Sequence, residues 1–294
     1  MEAIGFVGLG TMGGRMADRL LASGYEVHGT NRTAAKAGPL VERGLHWHAT
    51  PREVAAAADV VISMVSDDAA LEAIATGSDG IVAALSPGQV YVDMSTVSPP
   101  ASVDMARRVR AAGAWMLDAP VSGSVPQADD GSLTIMVGGE ATAFGHVEPL
   151  LRALGRHVTL VGENGKGLLL KLAINISIAV QVLAFGEGLL LAERGGIDAR
   201  LAARIMSESA IDSPMLQMRV PLFFELPESA WFDLTLMQKD IGLALRAAHD
   251  LHVPLPSSGA AAAMLARGRE LGYGKRDVAA LYQVLAEIGD EHAR

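Results

Sequence analysis

Inside the longest apolar stretch of the chain, residues 168–192, stand a lysine and an asparagine four positions apart, Lys171 and Asn175. On a helix that spacing puts both side chains on one face, and Gly167, a turn earlier, leaves room beside them. Hydride delivery to a carbonyl carbon builds negative charge on the oxygen, and an ammonium placed there both stabilises the charge and donates the proton. Desolvation lowers such a lysine from its ordinary pKa of about 10.4, which also suits the reverse, base-requiring direction. Asn175 would orient the amine or bond the reacting molecule. Spacing alone leaves two alternatives open. Lys171 can lay its stem on apolar surface and reach water, and Asn175 can make a structural bond between helices.

A second pattern suits phosphate. The apolar run 3–7 leads into Gly8-Leu9-Gly10-Thr11-Met12-Gly13, a GxGxxG loop followed by helical spacing. In that setting the first glycine makes a tight turn, the second admits a pyrophosphate, and the third lets helix and strand pack closely. Free N–H groups at the helix start then hold the anion. A glycine-rich turn in some other α/β fold is the competing reading. The run 26–30 is followed by Asn31-Arg32-Thr33, with none of the acids that NAD enzymes carry about 20 residues past the glycines for the ribose hydroxyls. A guanidinium with short polar donors suits a ribose 2′-phosphate. NADP(H) is therefore expected in preference to NAD(H), unless Arg32 is only a solvated cation.

Other loops complete the candidate site. Met64, Val65 and Ser66 end a strand and are expected to line the ribose and pyrophosphate, with a plain turn as the alternative. Ser122, Gly123 and Ser124 follow a strand too, and their N–H groups and two hydroxyls form a cradle for a carboxylate, unless they are an ordinary Ser/Gly turn. Ser95 and Thr96 sit at one more strand end. His46 and His48 share a strand face but lack a third ligand nearby, so no metal is expected.

The elements needed to hold these residues can be read from periodicity. Short aliphatic runs at 3–7, 26–30, 60–64, 90–93, 115–118, 133–137 and 157–160 alternate with helical patterns at 13–22, 34–43, 51–57, 69–75, 100–111 and 140–153. That alternation predicts an α/β, Rossmann-like doubly wound domain, a parallel sheet covered on both faces, over residues 1–162. Beyond Gly162, Ala, Leu and Met dominate, and an all-α domain over 163–294 is expected. A long central helix at 167–194, apolar nearly all round, would join the two. Short helices and turns are expected at 211–232, then helices at 234–250, 257–270 and 277–288.

Composition bounds the rest. With 294 residues, 50% hydrophobic and 19% charged, the chain has material for a large core, and 32 glycines supply many turns. The absence of cysteine removes disulfides, thiol nucleophiles and thiolate metal sites, and fits a cytoplasmic location. A net charge of −9 argues against nucleic acid as partner. Lys171, Asn175, Gln181 and Glu187 interrupt the apolar stretch, so a buried helix is favoured over a membrane span. Exposed Met-rich segments around Met206, Met215 and Met218 predict a homodimer or homotetramer.

Four segments in combination are more specific than any one. They are the glycine loop with Met12-Gly13, Asp93-Met94-Ser95-Thr96, Asp118-Ala119-Pro120-Val121-Ser122-Gly123-Ser124, and Gly162-x-x-Gly165-x-Gly167-x-x-x-Lys171-x-x-x-Asn175. The chain resembles the β-hydroxyacid dehydrogenase family, which includes 3-hydroxyisobutyrate dehydrogenase, over essentially its whole length. Ser124, the Asn-Arg-Thr strand end and Phe232 ahead of Gln238-Lys239-Asp240 look most like the glyoxylate and succinic semialdehyde reductase branch. The 3-hydroxyisobutyrate branch usually has glycine at the position of Ser124. The resemblance implies NADPH-dependent reduction of a small carboxylate-bearing aldehyde or keto acid, with Lys171 as catalytic residue. It further implies that Thr96 reaches both nicotinamide and substrate, that Lys239 lies on the cofactor side, and that Asp240 and Phe232 lie on the substrate side. An NAD(P)-dependent 3-hydroxy acid dehydrogenase is the nearest alternative. From another class comes a catalytically silent NADP-binding scaffold, disfavoured by the joint presence of Lys171, Asn175 and the Ser-Gly-Ser loop.

Overall fold

A computed structural model describes residues 2–292. Two compact units divide the chain between Lys171 and Leu172.

Among the described residues the first unit is built on nine strands, β1 (Ala3–Val7), β2 (Glu26–Thr30), β3 (His46–Trp47), β4 (Val60–Ser63), β5 (Val90–Asp93), β6 (Trp115–Asp118), β7 (Val121–Ser122), β8 (Leu133–Gly138) and β9 (Gly155–Gly162). Their order is β3-β2-β1-β4-β5-β6-β8-β7, with β9 on the other side of β8. The first six run parallel. β8 is antiparallel to β6 and β7 and parallel to β9, so the sheet is mixed rather than purely parallel. β3 and β7 were not expected from periodicity, because strands of two residues carry no repeat to detect.

The central strands are buried at nearly every position, as a sheet covered on both faces demands, and successive side chains alternate between two cores. Ile4, Phe6, Ile62 and Val92 enter one apolar core. Val7, Val61 and Tyr91 enter the other. Helices α1 (Thr11–Ala22), α2 (Gly38–Glu42), α3 (Pro51–Ala56), α4 (Asp68–Ala75), α5 (Pro99–Ala111), α6 (Val125–Asp130) and α7 (Ala141–Leu154) supply the covering layers. Their starts are encoded locally. Thr50 and Glu53 form a reciprocal capping box on α3, Asp67 caps α4, and Ser98 caps α5 just ahead of Pro99. Because β1 lies between β2 and β4, the crossovers leave it in opposite directions, and a crevice opens at the carboxyl ends of β1 and β4.

The second unit is helical. It takes most of α8 (Lys166–Arg194), then α9 (Ala199–Ser207), α10 (Pro214–Phe224), α11 (Leu234–Asp250), α12 (Pro256–Glu270) and α13 (Leu281–His292). Where short helices and turns were expected, α10 runs eleven residues, with Pro214 in its first turn and Pro221 tolerated inside. Phe223 stacks on Tyr282 and meets Phe185 edge-on at the centre of this unit's core. Arg219 and Asp277 form a buried ion pair there, and Asp277 also accepts from the N–H groups of Trp231, Phe232 and Ala279.

Helix α8 is less uniform than its composition suggests. Leu168, Lys171, Leu172, Asn175, Ala179, Val182, Gly186 and Leu189 form one buried stripe, while Leu170, Ala173, Ser177 and Leu191 are exposed. Among the described residues it is the one helix long and apolar enough to cross a membrane by length and composition. The methionines at 206, 215 and 218 are half-buried rather than exposed; the exposed large apolar residues nearby are Leu191, Ile197, Leu201, Ile205 and Ile211.

Candidate active site

Each glycine of the phosphate loop has a distinct steric reason. Gly8 adopts φ +101°, and a Cβ there would lie 2.3 Å from the Met64 carbonyl oxygen. At Gly13 a Cβ would stand 2.0 Å from the Gly8 carbonyl oxygen, so only glycine lets α1 pack against β1. Gly10 has nothing within 4 Å of a Cβ position; the space is open on the side a ligand would approach. Gly10 also opens α1 without a side-chain cap, and the first turn has no acidic residue, which leaves donors for an anion. These features fit a dinucleotide.

Asn31 ties the loop to the next strand, accepting from Leu9 N at 3.1 Å and donating to the Thr33 carbonyl at 3.0 Å. Its side chain thus has a structural task that spacing did not disclose. Arg32 and Thr33 are exposed, and among the described residues Arg32 has no hydrogen-bond or ion-pair partner.

Behind the crevice lies a buried polar network. The Tyr91 hydroxyl donates to Ser63 Oγ at 2.8 Å, because Ser63 gives its own proton to Asp93, and burial pushes the phenol well above its ordinary pKa. Ser63 Oγ and Ser95 Oγ both donate to Asp93 Oδ1 at 2.6 Å, and Ser95 Oγ accepts from Val65 N at 2.8 Å. Ser95 is fully buried, so its hydroxyl holds the Met64-Val65-Ser66 turn in place. Asp93, the first residue of the Asp93-Met94-Ser95-Thr96 motif, is the acceptor at the centre of this network. Its role was hidden because it depends on pairing between β4 and β5, which place Ser63 opposite Asp93. Thr96 is half-buried on the loop that follows.

Ser122 closes β7 and Ser124 precedes α6, with Gly123 at φ +135° between them. A Cβ on Gly123 would meet Leu133 Cδ2 at 2.8 Å, which restricts that position to glycine. Ser124 N donates to Gln127 Oε1 at 2.8 Å.

Asp118, at the end of β6, is buried completely. Its Oδ1 accepts from Gly165 N at 2.7 Å and its Oδ2 from Leu168 N at 3.0 Å. Burial raises its pKa to about 6, the two backbone bonds and its own N–H oppose the rise, and Asp93 adds to it. A carboxyl that holds its proton more tightly when folded contributes stability present below its unfolded pKa and lost as pH rises through the folded value. The gap from 3.8 to about 6 corresponds to ~3 kcal/mol. Relative to wild type, Asp118→Asn should therefore gain stability between pH 4 and 6 and show no further relative gain above; melting curves of both proteins across that range would expose a flat difference if the carboxyl is not buried as described.

Lys171 ends the first unit with 8% of its surface exposed, and Asn175, one turn further along α8, is fully buried. Within the helical unit Asn175 Nδ2 donates to Asp240 Oδ2 at 2.6 Å, and Asp240 Oδ1 pairs with Lys239 Nζ at 3.0 Å. Asn175 Oδ1 is buried with no hydrogen-bond partner, an acceptor in need of a donor. Phe232 is half-buried just ahead of α11. His46 on β3 and His48 just beyond it cluster with His28 on β2, and the described residues include no group of three or more side chains placed to hold a metal.

Comparison with known proteins places both halves of the chain. The family described as the NAD binding domain of 6-phosphogluconate dehydrogenase matches residues 3–162. That described as NAD-binding of NADP-dependent 3-hydroxyisobutyrate dehydrogenase matches 165–285. Among curated relatives, glyoxylate/succinic semialdehyde reductase 2 of Arabidopsis thaliana is 32% identical over 96% of this chain and 79% of its own. The 2-hydroxy-3-oxopropionate reductase of Escherichia coli is 35% identical over 96% of both. Among solved structures, Psf3 in complex with NADP+ and 2-OPP superposes with a TM-score of 0.88 at 28% identity, covering 96% of this chain and 99% of that one.

Proposed function

From a chain that belongs to the β-hydroxyacid dehydrogenase family, and is thus an NAD(P)-dependent hydroxyacid dehydrogenase, we propose an NADPH-dependent reductase of a small carboxylate-bearing aldehyde or keto acid, of the glyoxylate or succinic semialdehyde kind. The observation that carries this reading is Lys171, a lysine held almost out of water on the buried stripe of an apolar helix, with Asn175 one turn on. NADPH supplies the hydride when bound. Gly8, Leu9, Gly10, Thr11, Met12 and Gly13 would hold its pyrophosphate, Met64, Val65 and Ser66 its ribose side, and Thr96 and Lys239 the nicotinamide side. Lys171 stabilises the charge growing on the carbonyl oxygen and donates its proton to it. Asn175, fixed by Asp240, keeps a buried carbonyl oxygen without a hydrogen-bond partner, an acceptor available to a substrate donor. Ser122, Gly123 and Ser124 would hold the substrate carboxylate; Ser95 braces the Met64-Val65-Ser66 turn, and Phe232 and Asp240 are substrate-side residues by resemblance to the family. A panel of glyoxylate, succinic semialdehyde, tartronate semialdehyde and methylmalonate semialdehyde tests it. Turnover of none of the four with NADPH would overturn the reading.

The preference for NADPH rests on Arg32. Exposed, without an internal partner, and following the strand end that lacks an acid, it is available to a 2′-phosphate. A charge-assisted hydrogen bond contributes about 1.5–3 kcal/mol, so Arg32→Ala should raise KM for NADPH roughly ten- to a hundredfold and leave KM for NADH nearly unchanged. Parallel changes in both would refute the assignment. The exposed Leu191, Ile197, Leu201, Ile205 and Ile211 support a homodimer or homotetramer. Light scattering at micromolar concentration should give at least twice the chain mass, and a monomer would contradict it. Zero cysteine supports a cytoplasmic location.

A further inference from the structure

The start of α8 is held by an unusual anchor. The first N–H groups of a helix have no partner within it and are ordinarily satisfied by a side chain just ahead in sequence. Here the acceptor comes from a strand 47 and 50 residues away: the carboxylate of Asp118 takes both Gly165 N and Leu168 N. Glycines wall the slot it occupies. A Cβ on Gly138 would lie 2.7 Å from Asp118 Oδ1, and one on Gly167 would lie 2.9 Å from the Asp118 carbonyl oxygen and 2.4 Å from that of Met136. Leu168 packs into the sheet's apolar core beside them. Lys171 follows Leu168 by three residues, less than one helical turn. The same Asp118 directly precedes the loop that reaches Ser122, Gly123 and Ser124.

We propose that Asp118 is a positioning residue for the reaction, fixing the height and rotation of the first turn of α8 on the sheet and thereby the place of the Lys171 amine. The proposal rests on the reading of Lys171 as the proton donor. The carboxylate matches the positive end of the helix as well as its two donors. An amide at the same place offers one acceptor and one donor to two N–H groups, so one of the two bonds must fail. With the anchor loosened, the amine wanders by a fraction of an ångström from the reacting oxygen, a displacement that transition-state stabilisation does not tolerate. The phosphate loop, on β1 and α1, is untouched.

The test combines Asp118→Asn and Gly167→Ala with and without Lys171→Ala, using the full chain, NADPH and whichever aldehyde of the panel is turned over fastest. Asp118→Asn should lower kcat about tenfold to a hundredfold, with Kd for NADPH within twofold of wild type and a cooperative melt retained. Gly167→Ala, which keeps the carboxylate but forces the helix turn off the Met136 carbonyl, should lower kcat in the same way. In the Lys171→Ala background neither change should slow the residual rate further, because the amine through which both act is gone. A wild-type kcat in Asp118→Asn overturns the proposal, as does an equal loss in the presence and absence of Lys171. If neither variant folds, the anchor is structural and the positioning role is rejected. If Lys171→Ala alone retains full activity, it is the assignment of the proton donor that fails.

Discussion

Lys171→Ala should lower kcat by about a hundred- to ten-thousandfold, the range that a positioned general acid supplies, while Kd for NADPH should stay near that of wild type. The split follows from where the lysine stands. It lies on the buried stripe of α8, at 8% exposure, and not on the loop between β1 and α1. Its loss removes an interaction needed chiefly in the transition state, where charge has moved onto oxygen, so kcat falls more than binding. Lys171→Arg separates the two contributions: a guanidinium retains positive charge but holds its proton too tightly to donate it, so its rate should fall between those of alanine and wild type. Stopped-flow measurement of NADPH oxidation, with cofactor binding followed by nicotinamide fluorescence, reads both quantities.

The largest loss of stability is expected at Asp277. Arg219 and Asp277 are buried together, at 6% and 0% exposure, and Asp277 also accepts from three backbone N–H groups. Asp277→Ala strands the Arg219 charge and those three donors at once. Breaking a buried pair in this way costs about 3–5 kcal/mol, or a fall of roughly 10 °C in the melting midpoint. Arg219→Ala should cost less, because the remaining carboxylate keeps its three donors. The order of the two midpoints is the informative result. It also bears on the site, since the Trp231 and Phe232 N–H groups that Asp277 holds precede α11, the helix of Lys239 and Asp240.

The parts of the fold legible in the sequence are those with a period or a local stop signal. The first five long strands and α1, α5, α7 and α11 follow from alternation, aliphatic runs, capping residues and prolines. Elements set by distant partners were not legible. β3 and β7 exist only because β2 and β8 present free edges to two residues each. The reversal of β8 against β6 leaves no mark in its own apolar run. The site divides in the same way. Glycine spacing and a lysine in an apolar helix announce their chemistry locally. The tasks of Asp93, Asp118 and Asn31 depend on register between strands or on a helix 47 residues away, and no spacing rule reports those. In the segments around Met206, Met215 and Met218 the exposed apolar surface falls on Ile205 and Ile211, with the methionines half-buried, because an amphipathic segment shows how much apolar surface it has and not which residue faces water.

The proposed activity is NADPH-dependent reduction of a small aldehyde or keto acid bearing a carboxylate. The most direct measurement is kcat/KM for glyoxylate and succinic semialdehyde with NADPH and with NADH at equal concentration. Turnover of at least one of them is expected, with NADPH favoured at least about tenfold, the contribution expected of a single charge-assisted bond from Arg32. Equal use of NADH, or no reduction of either substrate alongside efficient NAD-dependent oxidation of 3-hydroxyisobutyrate, would contradict it.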